Sequence, residues 1–372
     1  MSFNNYFGVL LYIIGVIIVE KNKSNKKKMK INKNFIYIGI AVILLIAIIL
    51  LFTLTNNKED KKDNNKTTTT TKVVEEKKLN IVDLNSTSRP YAVMINNIGV
   101  ARPLQSGLQD AYIIYEIIVE GGLSRYMALF LDQNTERIGS IRSSRHYFLD
   151  YALENDAIYV HHGQSPQAAA DFKKLNVNRI VADNSKTGWR DKTLNVSSEH
   201  TLFTNIEKLN SGLGKIRTTR NGNLLLTYSV DSVELSTKKD SKVANEVKIV
   251  YSKSVVDTYS YDATNKVYMR SVNGKAHTDY VTGKQYTFKN IITYQVENST
   301  IAGDKKGRQT IDNIGSGTGY YISEGYAVPI KWKKESRSSK TVYTYEDGTE
   351  LVVNDGNTFI QIQPKNQELS IN

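Results

Sequence analysis

Two short segments concentrate the residues that could do chemistry: Ile138-Gly-Ser-Ile-Arg142-Ser143-Ser144-Arg145 and His161-His162-Gly163-Gln164-Ser165-Pro166. Each reads as the end of a strand followed by the start of a helix. In the second, Ser165 suits the N-cap and Pro166 the first helical position. A helix start presents unpaired N–H groups and a partial positive charge. Arginine adds a planar fork of donors matched to phosphate or carboxylate. The chemistry such a pattern serves is anion binding. Arg142 and Arg145 flank one expected helix start, and Arg125 and Arg190 are placed to converge on it. The expected cradle is Arg125, Arg142, Ser143, Arg145, Ser165 and Arg190, with Glu120, His161 and His200 at its rim. A plainer assignment stands beside it: Ser143, Ser144 and Ser165 cap helices, and the arginines pair with Glu116 and Glu120.

Other chemistries have less behind them. Gly163-Gln164-Ser165-Pro166-Gln167 lacks the second glycine of a nucleophile elbow, and a serine nucleophile would need His161 or His200 delivered as its base. His161 and His162 are adjacent, so on a strand end they point to opposite faces, and no His-Glu-x-x-His occurs; no metal site is expected. The absence of cysteine excludes disulfides, thiol nucleophiles and thiolate-bound metal. No cofactor is implied. Glu116 and Glu120 lie four apart and share one face of a regular strand.

The elements that must position these residues follow from periodicity. Tyr91–Ile98, Ala111–Val119, Leu123–Asp132, Asp156–His161 and Ile180–Ala182 read as strands. Ser144–Asn155 and Pro166–Leu175 read as helices. Thr204-Asn-Ile-Glu207 fits a capping box that opens another helix. This alternation predicts an α/β or α+β first domain with a mixed sheet over residues 89–230. Residues 231–246 read as a linker. From 247 to 365 the texture turns β-branched and Tyr-rich, with runs such as Val247–Val256, Ser260–Arg270 and Thr358–Gln363, and predicts a second, mainly β domain. Its tyrosines and Trp332 fit half-buried strands better than sugar stacking.

Charge and hydropathy place these domains. Residues 20–34 hold seven lysines against one glutamate, half of the net charge of +12. Phe35–Leu54 follows, 20 residues without a charge, long enough to span about 30 Å of hydrocarbon. Together they predict a single-pass transmembrane anchor at 35–54, a cytoplasmic basic segment at 1–34 and everything after Leu54 outside the cell membrane. Met29 opens a short basic stretch ahead of the apolar run. It is an alternative start that would leave residues 1–28 untranslated. Residues 55–88 are polar and of low complexity, the composition of a disordered linker. The basicity outside 20–34 is modest and spread over more than 300 residues, so no nucleic-acid partner is expected.

Several segments carry a family resemblance. They are Arg89-Pro-Tyr-Ala-Val-Met-Ile-Asn-Asn97, Arg102-Pro-Leu-Gln-Ser-Gly107, Tyr115-Glu-Ile-Ile-Val-Glu-Gly-Gly122, the two polar segments above, Trp189-Arg190-Asp191, His200-Thr-Leu-Phe-Thr204, Gly274-Lys-Ala-His277 and Gly315-Ser-Gly-Thr-Gly319. In order and content they resemble the YerB-like lipoprotein family, two-domain extracytoplasmic proteins of Gram-positive bacteria with no assigned function. The resemblance implies location and architecture over residues 88–364. Members are often held by a lipidated cysteine; here the apolar segment would take that role. A shorter stretch, Ser124–Asp132 followed by Ile138–Arg142, is similar to the LytR-CpsA-Psr pattern, whose members bind polyprenyl-pyrophosphate glycans through arginines. That likeness names a ligand class: a phosphorylated envelope glycan or lipid-linked precursor. The expected function is a membrane-anchored extracytoplasmic binding protein for such an anion, more a binding protein than an enzyme. The alternatives are an envelope phosphotransferase or hydrolase acting on a phosphate-linked glycan, and a non-catalytic interaction module.

Overall fold

Continuous apolar runs build the centre. Every residue of β1 (Tyr91–Asn96), β2 (Ile113–Ile118), β3 (Ser124–Phe130) and β4 (Ile158–His161) is buried. Strands buried on both faces lose the usual polar alternation. The computed structural model describes residues 78–372, which belong to one compact unit. After β4 come β5 (Arg179–Val181), β6 (Lys242–Val243), β7 (Glu246–Ser252), β8 (Val255–Asp262) and β9 (Val267–Val272). Then follow β10 (Asn290–Val296), β11 (Gly315–Ser323), β12 (Tyr326–Lys334), β13 (Val342–Tyr345), β14 (Thr358–Pro364) and β15 (Leu369–Ile371).

One mixed sheet runs through both halves of the sequence. Its order is β6-β12-β11-β10-β14-β2-β3-β1-β4-β5, with β13 also on β12. The join is β2 beside β14, parallel, with Ile113 opposite Thr358 and Ile117 opposite Ile362. The two sequence segments are therefore hydrogen-bonded through the middle of a sheet. A second sheet contains β9-β8-β7-β15, and its strands alternate buried and exposed residues as expected of one covered face.

Alternation along β2 assigns the two faces of the main sheet. Tyr115 points to helix α1 (Phe148–Glu154), where its ring lies 5.0 Å from Tyr151. Its neighbour Glu116 points the other way, to the second sheet, where Tyr251 of β7 donates to the Glu116 carbonyl at 2.9 Å. Two further helices, α2 (Pro166–Lys174) and α3 (Ile206–Ser211), complete the first half. The described part is mostly β with a mixed sheet and few helices.

Some local expectations move. Ser260–Arg270 is not one strand but the hairpin β8–β9. The Asp262 carboxylate accepts from the Thr264 and Asn265 N–H groups and turns the chain there. The cap of α3 is Asn205, which accepts from the Lys208 N–H at 2.8 Å, while the Thr204 hydroxyl donates to the Thr187 carbonyl. Within 231–246, Leu235 is buried and β6 pairs with β12. At the end of the expected linker, the Asn80 and Ile81 N–H groups donate to Asp355 and Val82 is buried. Residues 1–34, the expected span 35–54 and the linker as far as residue 77 lie outside the described residues. Among the described residues no helix is long and apolar enough to cross a membrane.

Candidate functional site

The segment Ile138–Arg145 begins on a small three-stranded sheet, with Ile138–Gly139 against Leu202–Thr204. It then runs between β1 and the β4–α2 loop. The Arg142 N–H donates to the Met94 carbonyl, the Ser144 N–H to Gly163 and the Ser165 N–H back to Ser144. This ladder fixes the segment from both sides and sets the directions of Arg142 and Arg145.

Arg145 and Arg125 converge on one carboxylate. Arg145 Nε donates to Glu120 Oε2 at 2.8 Å and its Nη2 to Oε1, while Arg125 Nη2 lies 3.2 Å from the same Oε1. Backbone carbonyls take further donors: Arg125 Nη1 bonds Ser143 O at 2.7 Å and Arg145 Nη1 bonds Ser144 O at 2.8 Å. Arg125 Nε is buried without a partner. Burial would raise the Glu120 carboxyl, but the Arg145 hydrogen bond and the two guanidinium charges prevail and hold it at about 2. Arg125 is pulled down to about 10, first by burial and then by the like charge of Arg145. Two cations share one anion here.

Arg142 belongs to an adjoining, more open group. Its Nη2 is 2.6 Å from Glu199 Oε2. The guanidinium is mostly covered, at 20% exposure, whereas Glu199 is 53% exposed. The Arg142 hydrogen bond holds the Glu199 carboxyl below its ordinary value. His200 is buried beside it. Asn96 Nδ2 lies 3.0 Å from its Nδ1, and its Nε2 faces Glu199 at 3.7 Å. Burial lowers the His200 pKa. Arg190 donates to the Ser198 carbonyl and approaches His162 Nε2 at 3.2 Å. His162 Nδ1 in turn bonds the Ala182 carbonyl.

The remaining expected residues have structural partners. Ser165 caps α2 by accepting from the Ala168 N–H at 3.1 Å. Ser143 and Ser144 cap no helix. Helix α1 begins at Phe148, and its first N–H groups bond Arg145, His146 and Tyr147 carbonyls. With seven residues and those donors satisfied, α1 offers little to an anion. His161 is fully buried, stacked 4.9 Å from Phe172, with Nδ1 on the Gly163 carbonyl and Nε2 near Arg179. Burial lowers its pKa to about 4, so the ring is neutral at pH 7. The structure thus brings together Arg125, Arg145 and Glu120, and beside them Arg142, His200 and Arg190, linked through residues 142–145. Among the described residues no cluster of His, Asp and Glu could hold a metal.

A second polar centre escaped sequence reasoning. Arg270 of β9 is fully buried, with Nη2 2.8 Å from Glu116 and 2.7 Å from Asp257, both also fully buried. Its Nη1 meets His277 Nδ1 at 2.7 Å and its Nε donates to Tyr259 at 3.1 Å. His277 reaches Gln105, Ser124 donates to Glu116 at 2.5 Å and Gln361 donates to Tyr259. Burial, and then the charge of Asp257, raise the Glu116 pKa. The only signal in the sequence was negative: Glu116 interrupts an apolar strand run, and such a charge demands a partner. Nothing local named Arg270, which lies 154 residues away.

Family models for the N-terminal and C-terminal domains of a protein of unknown function, DUF3048, match residues 79–219 and 247–360. YerB of Bacillus subtilis (strain 168), named as a candidate lipoprotein, is 32% identical over 297 residues, 76% of this chain and 83% of that protein. The crystal structure of B. subtilis YerB matches with a TM-score of 0.66 at 29% identity, over 77% of this chain and 94% of the solved one.

Proposed function

The chain belongs to the YerB-like family of DUF3048 proteins, and from that premise we propose that it is a membrane-anchored extracytoplasmic protein that binds a phosphate-bearing cell-envelope ligand. The apolar segment 35–54 anchors it. The lipoprotein name of its B. subtilis relative favours that location. The ligand is a phosphorylated glycan or a lipid-linked precursor.

One observation carries the ligand class. Arg125, Arg142, Arg145 and Arg190 lie on one loop cluster, and among the described residues only Glu120 and Glu199 pair with them there. Two positive charges remain in excess. The two arginines on Glu120 are buried and the carboxylate is partly covered, so this group acts as a fixed cationic background. The Glu199 pair is open on the carboxylate side, and an exposed ion pair is worth about 0–1 kcal/mol. A phosphate can therefore replace the Glu199 carboxylate on Arg142 at small cost and take up Arg190 as well. His200, neutral and held by Asn96, stands at the edge of that exchange. The Ser165 hydroxyl stays on its helix.

Thermal unfolding of the full chain with and without inorganic pyrophosphate tests the ligand class. Stabilisation by pyrophosphate that Arg142→Ala abolishes supports it; equal stabilisation of wild type and variant refutes it. Added protease on intact cells tests the location. Digestion of residues 89–365 is expected, and protection until lysis would overturn the extracytoplasmic assignment.

A further inference from the structure

A cavity of about 1180 Å³ is separate from the arginine cluster. It lies at the seam between the two family segments, between residues 107–137 with Trp189 on one side and residues 262–287 on the other. Its floor is tied from both sides. Gln109 exchanges two hydrogen bonds with the Thr287 backbone, at 2.9 and 3.0 Å. The Asp279 carboxylate accepts from the Gly107 N–H and the Tyr286 hydroxyl, at 2.8 Å each. The groove is therefore built into the fold rather than left by a loose loop.

Its walls combine two chemistries. Met269 and Val281 are exposed hydrophobics, at 37% and 63%, and face the half-exposed Trp189 across the seam. Asp110 and Glu136 are exposed carboxylates with no ion pair among the described residues. Two cations share the lining: Arg137 is committed, pairing with Asp191 at 2.9 Å with its guanidinium 3.6 Å over the Phe203 ring, and Lys284 is exposed with no ion pair among the described residues. Four acids, Asp110, Glu136, Asp262 and Asp279, face these two cations, so the groove is locally acidic on a chain of net positive charge. A volume above the range of about 300–1,000 Å³ usual for small-molecule pockets suits an extended ligand. The geometry points to a docking site for a short extended segment of another protein, carrying a lysine or arginine beside an apolar side chain. The cation would meet Asp110 and Glu136, and the apolar side chain would cover Met269 and Val281. Opposite-charge patches of this kind steer encounter and select partners.

The chain contains two tryptophans. Trp189 lines the groove and Trp332 is buried in the main sheet, so Trp189 reports occupancy. The full chain in mild detergent is titrated with the peptide acetyl-Ala-Lys-Leu-Lys-Ala-amide and with its glutamate counterpart. The expected result is a saturable change in tryptophan emission with the lysine peptide alone, retained in Trp332→Phe. Affinity should weaken at least tenfold in the double variant Asp110→Asn, Glu136→Gln, whose exposed positions leave the fold intact by thermal melting. Three results overturn the inference: no saturable response to the lysine peptide, equal binding by the double variant, or equal binding of both peptides. Pyrophosphate binding at Arg142 is independent of each.

Discussion

Replacing Arg270 with methionine isolates the buried charge centre that joins the two halves of the sequence. The side chain has no exposure, and neither do its carboxylate partners Glu116 and Asp257. Methionine fills much of the volume but leaves two buried acids without a cation. Burial and the neighbouring Asp257 raise the Glu116 pKa, so proton uptake by Glu116 offsets part of the charge stranded when the cation is removed. Breaking a buried ion pair from one side costs about 3–5 kcal/mol. For a folded body of this size that lowers Tm by roughly 5–10 °C. Glu116→Gln is the companion change. It keeps the shape and leaves Arg270 its Asp257 partner, and should cost less than half as much. Because the folded Glu116 pKa is raised, its contribution is complete below the unfolded pKa and declines as pH rises through the folded one. Glu116→Gln should therefore gain on wild type at alkaline pH. Urea unfolding at pH 5 and pH 9 reads both effects. An Arg270→Met loss below about 1 kcal/mol would refute a charged seam, since breaking a buried pair costs several times that. Equal losses in the two variants would refute the claim that Arg270 serves both acids.

Three further outcomes follow from the same geometry. Ser165→Ala should cost about 1 kcal/mol by removing the cap on Ala168, and should leave pyrophosphate affinity unchanged; a loss of binding in titration would make Ser165 part of the cradle. The Glu120 carboxyl is depressed from 4.5 to about 2, so its contribution is present above the unfolded value and lost as pH falls through the folded one. The stability gap between wild type and Glu120→Gln should close across that window in acid titrations followed by circular dichroism. Gly317→Ala places a Cβ 2.7 Å from Trp332 Nε1 and should destabilise by about 1–3 kcal/mol in urea melts.

The sequence made the strands of the first half legible because their composition is extreme. Tyr91–Asn96 and Ile113–Ile118 could be little else than buried strands, and Ser165-Pro166 marks a helix start by itself. Pairing was not legible. The contact of β2 with β14 joins residues 245 positions apart, and no periodicity encodes which runs will be neighbours. The same limit applied to the site. Arginine spacing identified the cationic junction, but the carboxylates that pair with it, Glu199 above all, stand in a turn whose reach depends on the fold. The expected helix start beside Arg145 failed locally for a specific reason. The N–H groups of Ile141, Arg142 and Ser144 bond to Leu202, Met94 and Gly163, which holds the segment extended and delays α1 to Phe148.

The exchange of Glu199 for phosphate on Arg142 is open to direct observation by crystallising the chain with inorganic pyrophosphate. The account predicts density for the anion between the Arg142 and Arg190 guanidinium groups, with the Glu199 carboxylate swung out to solvent. Unchanged pairing of Arg142 with Glu199 at 2.6 Å, with no anion beside either arginine at saturating pyrophosphate, would contradict it.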